Sequence, residues 1–297
     1  MQIIMSAYRR YIHTKKRLVH KMNDTRRKRR IALLFLMLTV LSLFLASAGA
    51  STEKESRGIP VLTYHRVVKH EVKMSNRQYR NNKWVNDLDN FESNMKYLHD
   101  NGYRTLSMDE FYDWYRGKLK VNEDKTVVIT FDDGNAEDYY NVLPVMKKYG
   151  LRGTCFVIGE NVLGKRSGSL TPELMEKLRT EYDGLEIQSH TYGYHKILKS
   201  GKSNSYPMSD TTAEDFRADC IRMRDELGAK YLAYPFGVKA DFCPDVLADC
   251  GYRLAFGFGQ VDLPYGRAMR TDNPYYIRRI KVDAEHEGAD KFPELLK

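Results

Sequence analysis

Two adjacent carboxylates, Asp132 and Asp133, stand at the end of the apolar run TVVITF and are followed by Gly134. Like charges at the end of a buried strand repel each other and lose hydration, so such a pair is costly. Asp-Gly is also common turn chemistry, and a simple turn is one interpretation. The other is a divalent cation, which would offset one carboxylate and make the second tolerable.

Two histidines favour the cation. His190 ends the run LEIQSH, and His195 follows five residues later. One carboxylate and two imidazoles form a three-ligand site with positions left for water and substrate. Since successive residues of an extended chain point to opposite sides, one Asp would bind metal while the other contacts a metal-bound water. Such a centre suits amide or ester hydrolysis. A structural His190 and an exposed His195 are the alternatives.

The surrounding chain alternates between strand and helix patterns, which predicts an α/β fold with a parallel sheet, open or closed as a barrel. Strands are predicted at 59–65, 103–106, 125–131, 153–159, 185–190, 229–235 and 252–258, and helices at 87–101, 109–117, 136–149, 172–179, 212–227 and 244–250. Ligands bind at the carboxyl ends of such strands. Those ends carry both Asp, His65, His190 and the turn 235–237. The polar segments 71–84 and 199–210 are predicted to be surface loops.

The net charge of +9 belongs to the N-terminus. Residues 1–50 hold 11 Lys and Arg and one acid, so the other 247 residues hold 48 − 11 = 37 bases and 39 − 1 = 38 acids. A body with a net charge of −1 offers no basic face for a nucleic acid. The four cysteines match no zinc pattern, and Cys155, inside GTCFVIG, is predicted to be a core residue.

A run of 20 uncharged residues, 31–50, follows the basic cluster 26–30. It is long enough to cross the ~30 Å hydrocarbon core as one helix. Cations on its N-terminal side predict a cytoplasmic segment 1–30 and an exported remainder. We expect a single-pass anchor in the cell membrane, or a signal peptide cleaved after Ala48 or Ala50 with secretion of the rest. A polar linker, 51–58, then precedes the domain 59–297.

Several motifs resemble those of the polysaccharide deacetylase family, carbohydrate esterase family 4. They are TFDDG (130–134), SHTYGYH (189–195) and AYPFG (233–237), with VLTYHRV (61–67) and NPYYIRRI (273–280) in support. The resemblance covers about residues 59–282 and implies an irregular (β/α) barrel.

The resemblance also implies site roles. Asp132 would be the general base, and Asp133, His190 and His195 would bind a divalent metal, Zn²⁺ first, with Co²⁺, Ni²⁺ or Fe²⁺ as other options. A backbone N–H near residues 234–236 would help the metal to hold the oxyanion. The expected substrate-binding residues are Tyr192, Tyr234, Pro235 and Phe236.

Departures from the family pattern narrow the resemblance. The two His are five apart rather than four, which is similar to the branch that deacetylates poly-β-1,6-N-acetylglucosamine in biofilm matrices. Ala233 replaces the family arginine, so Arg279 is the candidate to orient Asp132. The usual late Leu-x-x-His is not evident, so His65 is the candidate general acid.

We therefore expect a metal-dependent N-deacetylase that releases acetate from N-acetylglucosamine units of an extracellular polysaccharide. A peptidoglycan N-acetylglucosamine deacetylase and a catalytically impaired surface glycan-binding protein are the alternatives. Glycosidic cleavage is disfavoured, because its two carboxyls stand ~5 to 10 Å apart across the bond and are not sequence neighbours.

Overall fold

The structure, a computed structural model, divides the chain into two compact units, Met1–Glu55 and Ser56–Lys297. It describes residues 12–17, 20–24, 28, 33–34, 36–37, 56–200, 203–258, 266–283 and 291–297. The predicted membrane segment, 31–50, lies outside this range apart from Leu33, Leu34, Leu36 and Met37. In the described part of the chain, no helix has both the length and the apolar character needed to cross a bilayer.

The predicted linker ends inside the second unit. The backbone N–H groups of Arg57 and Gly58 donate to the Glu123 carboxylate at 2.8 and 3.1 Å, and the Ser56 hydroxyl donates to it as well. Three residues of the predicted linker are therefore fastened to the domain.

The described part of the second unit contains twelve strands and nine α-helices. The strands are β1 (Val61–Tyr64), β2 (Arg66–Val68), β3 (Val85–Asp87), β4 (Arg104–Thr105), β5 (Thr126–Asp133), β6 (Gly153–Val157), β7 (Leu185–Ser189), β8 (Leu198–Ser200), β9 (Ser203–Ser205), β10 (Tyr231–Ala233), β11 (Leu254–Phe256) and β12 (Ile280–Lys281). The helices are α1 (His70–Ser75), α2 (Leu88–Asp100), α3 (Met108–Tyr115), α4 (Leu143–Tyr149), α5 (Gly159–Leu163), α6 (Pro172–Glu181), α7 (Pro207–Asp210), α8 (Ala213–Leu227) and α9 (Cys243–Asp249).

Local chemistry accounts for several element boundaries. A capping box is present at α3, where Ser107 and Glu110 satisfy each other's backbone N–H groups. Thr171 caps α6, and Gly150 ends α4 with φ +65°. The helix predicted over 136–149 is divided into a π-helix, Asp138–Val142, and α4.

Two loop predictions are wrong. Segment 71–84 contains most of α1, and segment 199–210 contains α7 and most of the β8–β9 pair. These elements are only three to six residues long, too short for a helical or alternating period to appear in the sequence.

Eight strands form one parallel sheet in the order β11-β10-β7-β6-β5-β1-β12, with β4 beside β5. Its ends approach each other through residues 277–281, because Ile277 bridges Phe256 of β11 while β12 pairs with β1. The N–H of Ile277 donates to Ala255 O, and the N–H of Gly257 donates to Ile277 O, both at 2.9 Å. The sheet is a parallel half-barrel of the α/β class, which agrees with the predicted irregular (β/α) barrel.

Successive side chains along each strand point to opposite faces of the sheet, so they contribute in turn to two hydrophobic clusters. One cluster faces the helices and holds Val127, Ile129 and Phe131 of β5. The other lies inside the barrel, where Val128 meets Val61, Phe156, Ala233 and Ile277. On β5, Thr130 and Asp132 share the parity of Val128, so the inner row leads directly to the first carboxylate. All four cysteines are buried and free, and the core position of Cys155 is confirmed.

Candidate active site

The inner rows of several strands end at one place. Continuing the inward parity carries Val61 to His65, Val128 to Asp132, and Ile277 to Arg279. These ends border a cavity of about 530 Å³, which Asp133, His190 and His195 also line. The structure thus brings together all six residues predicted from the sequence for catalysis and metal binding.

Asp132 is held by Arg279. The guanidinium donates from Nη1 to Oδ1 and from Nη2 to Oδ2, both at 2.8 Å. Both residues are almost fully buried, at 2% and 1% exposure. Burial by itself raises the pKa of Asp132, but the charge and hydrogen bonds of Arg279 outweigh it and hold that pKa below its ordinary value. Asp132 is therefore an ionised carboxylate across the physiological range.

Asp133 turns away from its neighbour. Its φ of +82° is rare for a residue with a side chain, and Gly134 follows with φ +69°. A Cβ on Gly134 would stand 2.8 Å from Val157 Cβ, so glycine alone fits there. The turn places Asp133 Oδ1 3.2 Å from His195 Nε2 and 3.8 Å from His190 Nε2. That oxygen is buried and has no hydrogen-bond partner among the described residues.

The three side chains suit a metal ion. One potential ligand atom from each of Asp133, His190 and His195 lies within 4.8 Å of the others. His190 Nδ1 donates to Ala233 O at 2.7 Å, which leaves Nε2 as the ligand atom. Burial lowers the pKa of His190 to about 4 against the opposing pull of Asp132, so the imidazole is neutral at neutral pH. The orphaned Asp133 oxygen, the donor set and the spacing fit a divalent cation.

The loop between the two histidines is held by hydrogen bonds to α8. Buried Asp219 accepts hydrogen bonds from the N–H of Tyr192, at 2.8 and 2.9 Å, and of Gly193, at 3.1 Å. Thr191 adopts φ +62°, a left-handed conformation that these contacts hold in place. Arg222, also on α8, lies 3.4 Å from the centroid of the Tyr192 ring.

His65 lies in an aromatic wall. Its ring centroid is 4.5 Å from that of Trp84 and 5.9 Å from that of Phe258. Burial lowers the pKa of His65, although Asp133 and Asp132 oppose the shift. His65 is therefore neutral in the resting protein at neutral pH.

The predicted substrate-binding residues divide into two groups. Tyr234 and Phe236 line the cavity, whereas Tyr192 and Pro235 do not. Tyr192 instead packs under Arg222 and serves the loop through its backbone. The N–H of Tyr234 donates to Phe256 O at 3.0 Å and proline has no N–H, so neither Tyr234 nor Pro235 supplies the predicted oxyanion donor.

Sequence reasoning missed several residues of the site. Trp84, Asn82, Ile197, Tyr206 and Phe258 all line the cavity. Trp84, Ile197 and Tyr206 sit in or beside segments predicted to be plain loops. The sequence offered one signal, the tryptophan Trp84 in a polar segment, but no regular residue spacing connected it with Asp132. Asp219 was missed because a helical Asp reads as solvent-facing.

This chain is similar in sequence to known proteins. The family profile described as "Polysaccharide deacetylase" matches residues 120–255. YxkH of Bacillus subtilis, a protein named for the same family, is 30% identical over 247 residues, covering 82% of this chain and 77% of YxkH. A poly-β-1,6-N-acetyl-D-glucosamine N-deacetylase of Staphylococcus aureus is 30% identical over 212 residues, or 70% of this chain and 69% of that protein.

Two solved structures share the fold. The deacetylase PplD of Streptococcus pyogenes, in complex with acetate, gives a TM-score of 0.67 at 21% identity and covers 81% of this chain and 98% of that one. IcaB of Ammonifex degensii gives 0.63 at 24% identity, with 81% and 96% covered. With the barrel, the Asp-Asp-His-His arrangement and the extent of the match to YxkH together, the chain belongs to the polysaccharide deacetylase family and is a hydrolase of that family.

Proposed function

We propose that this protein catalyses metal-dependent hydrolytic N-deacetylation of N-acetylglucosamine units in an extracellular polysaccharide similar to poly-β-1,6-N-acetylglucosamine, with release of acetate. The observation that carries the proposal is the contrast between the two carboxylates. Asp132 is bound by Arg279, while Asp133 has a buried oxygen that finds no hydrogen-bond partner among the described residues and lies 3.2 Å from His195.

Each ligand role follows from this arrangement. Asp133, His190 and His195 would hold the ion, and Zn²⁺ suits the donor set best, with Co²⁺, Ni²⁺ or Fe²⁺ compatible. When bound, a divalent cation polarises the acetamide carbonyl and lowers the pKa of a nearby water. That second effect matters because a carboxylate with a lowered pKa, such as Asp132, is a weak base towards ordinary water.

The chain's own residues would then move two protons. Asp132, fixed by both nitrogens of Arg279, accepts the proton of the attacking water as the new C–O bond forms. His65, which is neutral at rest, takes up a proton from solvent and delivers it to the amine as the C–N bond breaks, so the products are a free amine on the sugar and acetate. Trp84 and Phe258, which form the aromatic wall beside His65, and Phe236 offer apolar faces for the sugar ring.

The β-1,6-linked substrate rests on two supports, the five-residue spacing of the histidines and the likeness to the Staphylococcus aureus enzyme. We also propose that residues 1–30 are cytoplasmic and that 31–50 form a membrane anchor or a cleaved signal peptide, with the domain outside the cell. The basic cluster before the uncharged run supports this orientation. Protease accessibility of the domain in intact cells tests it, and a protected domain would contradict it.

Acetate release is the direct test. The purified full-length protein is incubated with β-1,6-N-acetylglucosamine oligomers, chitin oligomers and peptidoglycan fragments, with and without a chelator. We expect release from the β-1,6 oligomers, loss of release with the chelator, and recovery on adding Zn²⁺. Faster release from peptidoglycan fragments would favour that substrate, and no release from any would favour a glycan-binding protein.

The role of His65 has its own test. Because burial lowers the pKa of His65 below the ordinary 6.5, we expect the pH–rate profile to have a limb whose midpoint lies below that pH. His65→Ala should lower kcat by roughly 10²- to 10⁴-fold and remove this limb from the pH–rate profile. An unchanged profile in the variant would exclude His65 as the acid.

A further inference from the structure

A second cleft adjoins the metal ligands. It has a volume of about 270 Å³ and shares Asp133 and His195 with the catalytic cavity. Its remaining polar lining comes from Arg66, Asn135, Asn161, Arg166, Ser167 and Ser169. We call it the polar cleft, because it contains none of the aromatic residues that wall the catalytic cavity.

The polar cleft is built rigidly onto the metal-binding strand. The N–H of Ala136 donates to Gly168 O, and the N–H of Leu170 donates to Gly134 O, both at 2.9 Å. Asn135 and Ser169 form an isolated bridge between the same two segments. The loop that carries Arg166 is thus fastened to the residues directly after Asp133, so the cleft and the ligands keep one geometry.

The charges of the cleft do not cancel. Arg66 donates from Nη1 to both oxygens of Glu137 at 2.9 Å and contacts Asn135 through Nη2, which neutralises it. Arg166 is exposed and donates to the neutral Asn161 side chain at 3.1 Å. Within the described residues, no carboxylate lies within ion-pair distance of Arg166. Since Asp133 belongs to the metal site, the cleft is left with one positive charge and many hydrogen-bond donors.

A polymer whose acetamide reaches the metal ligands must continue past them. The aromatic side suits the face of a sugar ring, whereas the polar cleft suits its hydroxyl and carbonyl oxygens. We propose that the polar cleft binds the sugar unit next to the one being deacetylated, and that Arg166 makes it favour an N-acetylated neighbour over a neighbour with a free ammonium group. The inference rests on the proposed function and adds to it a selection rule for the neighbouring unit.

The selection rule has a consequence for the product. Each turnover creates a glucosamine ammonium, which repels a guanidinium placed beside it. A unit adjacent to a free amine on the cleft side becomes a poorer substrate. Deacetylation therefore proceeds at separated positions along the polymer and does not run from one unit to the next.

The test compares three β-1,6-linked trimers with the full-length wild-type protein. One trimer is fully acetylated, and the other two carry a free amine at either the reducing or the non-reducing end. Acetate release gives kcat/KM, and mass spectrometry locates the deacetylated unit. We expect kcat/KM at the central unit to fall roughly three- to tenfold for one of the two amine-bearing trimers, and the affected end identifies the polarity of binding.

Three variants assign the effect to the polar cleft. Arg166→Ala should bring the ratio between the trimers close to one, and Arg166→Glu should reverse it. Arg179→Ala removes an exposed cation from α6, outside both clefts, and should leave the ratio as in wild type. Metal content and melting temperature should be equal in all four proteins, which excludes a folding defect.

Two failures can be told apart. If the wild type releases acetate from the fully acetylated trimer but the ratio is one, or is the same in Arg166→Ala, the polar cleft does not select its neighbour and the proposed function stands. If the wild type releases no acetate from any trimer, the proposed function fails and the selection rule is overturned with it.

Discussion

Asp132 and Asp133 are neighbours in the sequence, but their side chains have very different surroundings. Asp132 points into the barrel, where a buried arginine binds both of its oxygens. Asp133 lies on a backbone turned to φ +82° and faces two imidazoles, with one oxygen unmatched by any described hydrogen-bond donor. The fold supplies a permanent counter-ion to one carboxylate and reserves the other for a cation.

A third carboxylate nearby is handled differently again. Asp138, on the π-helix, is fully buried, and neither of its oxygens has a hydrogen-bond partner among the described residues. Burial first, and then the charges of Glu137 and Asp133, raise the pKa of Asp138. It therefore keeps a proton over a wider pH range than an ordinary aspartate. Counter-ion, cation and proton are three ways to neutralise a buried acid, and the surroundings select among them.

Loss of the cation site is the largest effect that the comparison predicts. Asp133→Asn keeps the size of the side chain and removes its charge. We expect metal affinity to fall by more than about 100-fold and acetate release to vanish. Metal content after dialysis and titration calorimetry measure the first, and an enzymatic acetate assay measures the second. Wild-type metal content in the variant would show that Asp133 is not a ligand.

The matching change on the other carboxylate should separate metal binding from turnover. Asp132→Asn removes the base but none of the three proposed ligands. We expect metal content near that of the wild type and a kcat lower by roughly 10²- to 10⁴-fold. Turnover at the wild-type rate would exclude Asp132 as the base.

Breaking the ion pair from the arginine side should reduce stability. Arg279→Ala leaves a buried carboxylate uncompensated, which costs about 3–5 kcal/mol in the free energy of unfolding. Chemical denaturation of the metal-free protein measures this loss. The double variant Asp132→Asn/Arg279→Ala should recover part of it because the buried charge is gone, and strictly additive losses would contradict the pairing.

The smallest effect concerns the clamp beneath the histidine loop. Asp219→Ala removes the acceptor for the N–H groups of Tyr192 and Gly193, and we expect metal affinity to fall about 10- to 100-fold. Asp219→Asn keeps one acceptor oxygen and should be intermediate. Asp225→Ala, an exposed acid on the same helix, is the control.

The readout should separate loop positioning from general destabilisation. In wild type, added Zn²⁺ raises the melting temperature by an amount that grows with the logarithm of its affinity. Asp219→Ala should shrink this increase, and Asp225→Ala should not. If Zn²⁺ raises the melting temperature of Asp219→Ala as much as that of wild type, and the variant is equally destabilised with and without Zn²⁺, Asp219 has a structural role alone.

Much of this protein follows from its sequence. Alternating strand and helix patterns predicted the parallel sheet, and the carboxyl ends of those strands predicted where Asp132, Asp133, His65, His190 and His195 would lie. These inferences succeed because the spacing of apolar residues and the direction of a strand can be read within each segment of the sequence. The burial of Cys155 followed for the same reason.

The tertiary structure decided how those residues are held. Arg279 meets Asp132 across 147 positions of chain, and Asp219 reaches the histidine loop from α8. Trp84 enters the cavity from a segment without periodicity. The left-handed backbones of Asp133, Thr191 and Phe236 are conformations that their residue types disfavour. Contacts between distant segments of the chain offset that strain. Such contacts leave no local pattern in the sequence from which they could be predicted.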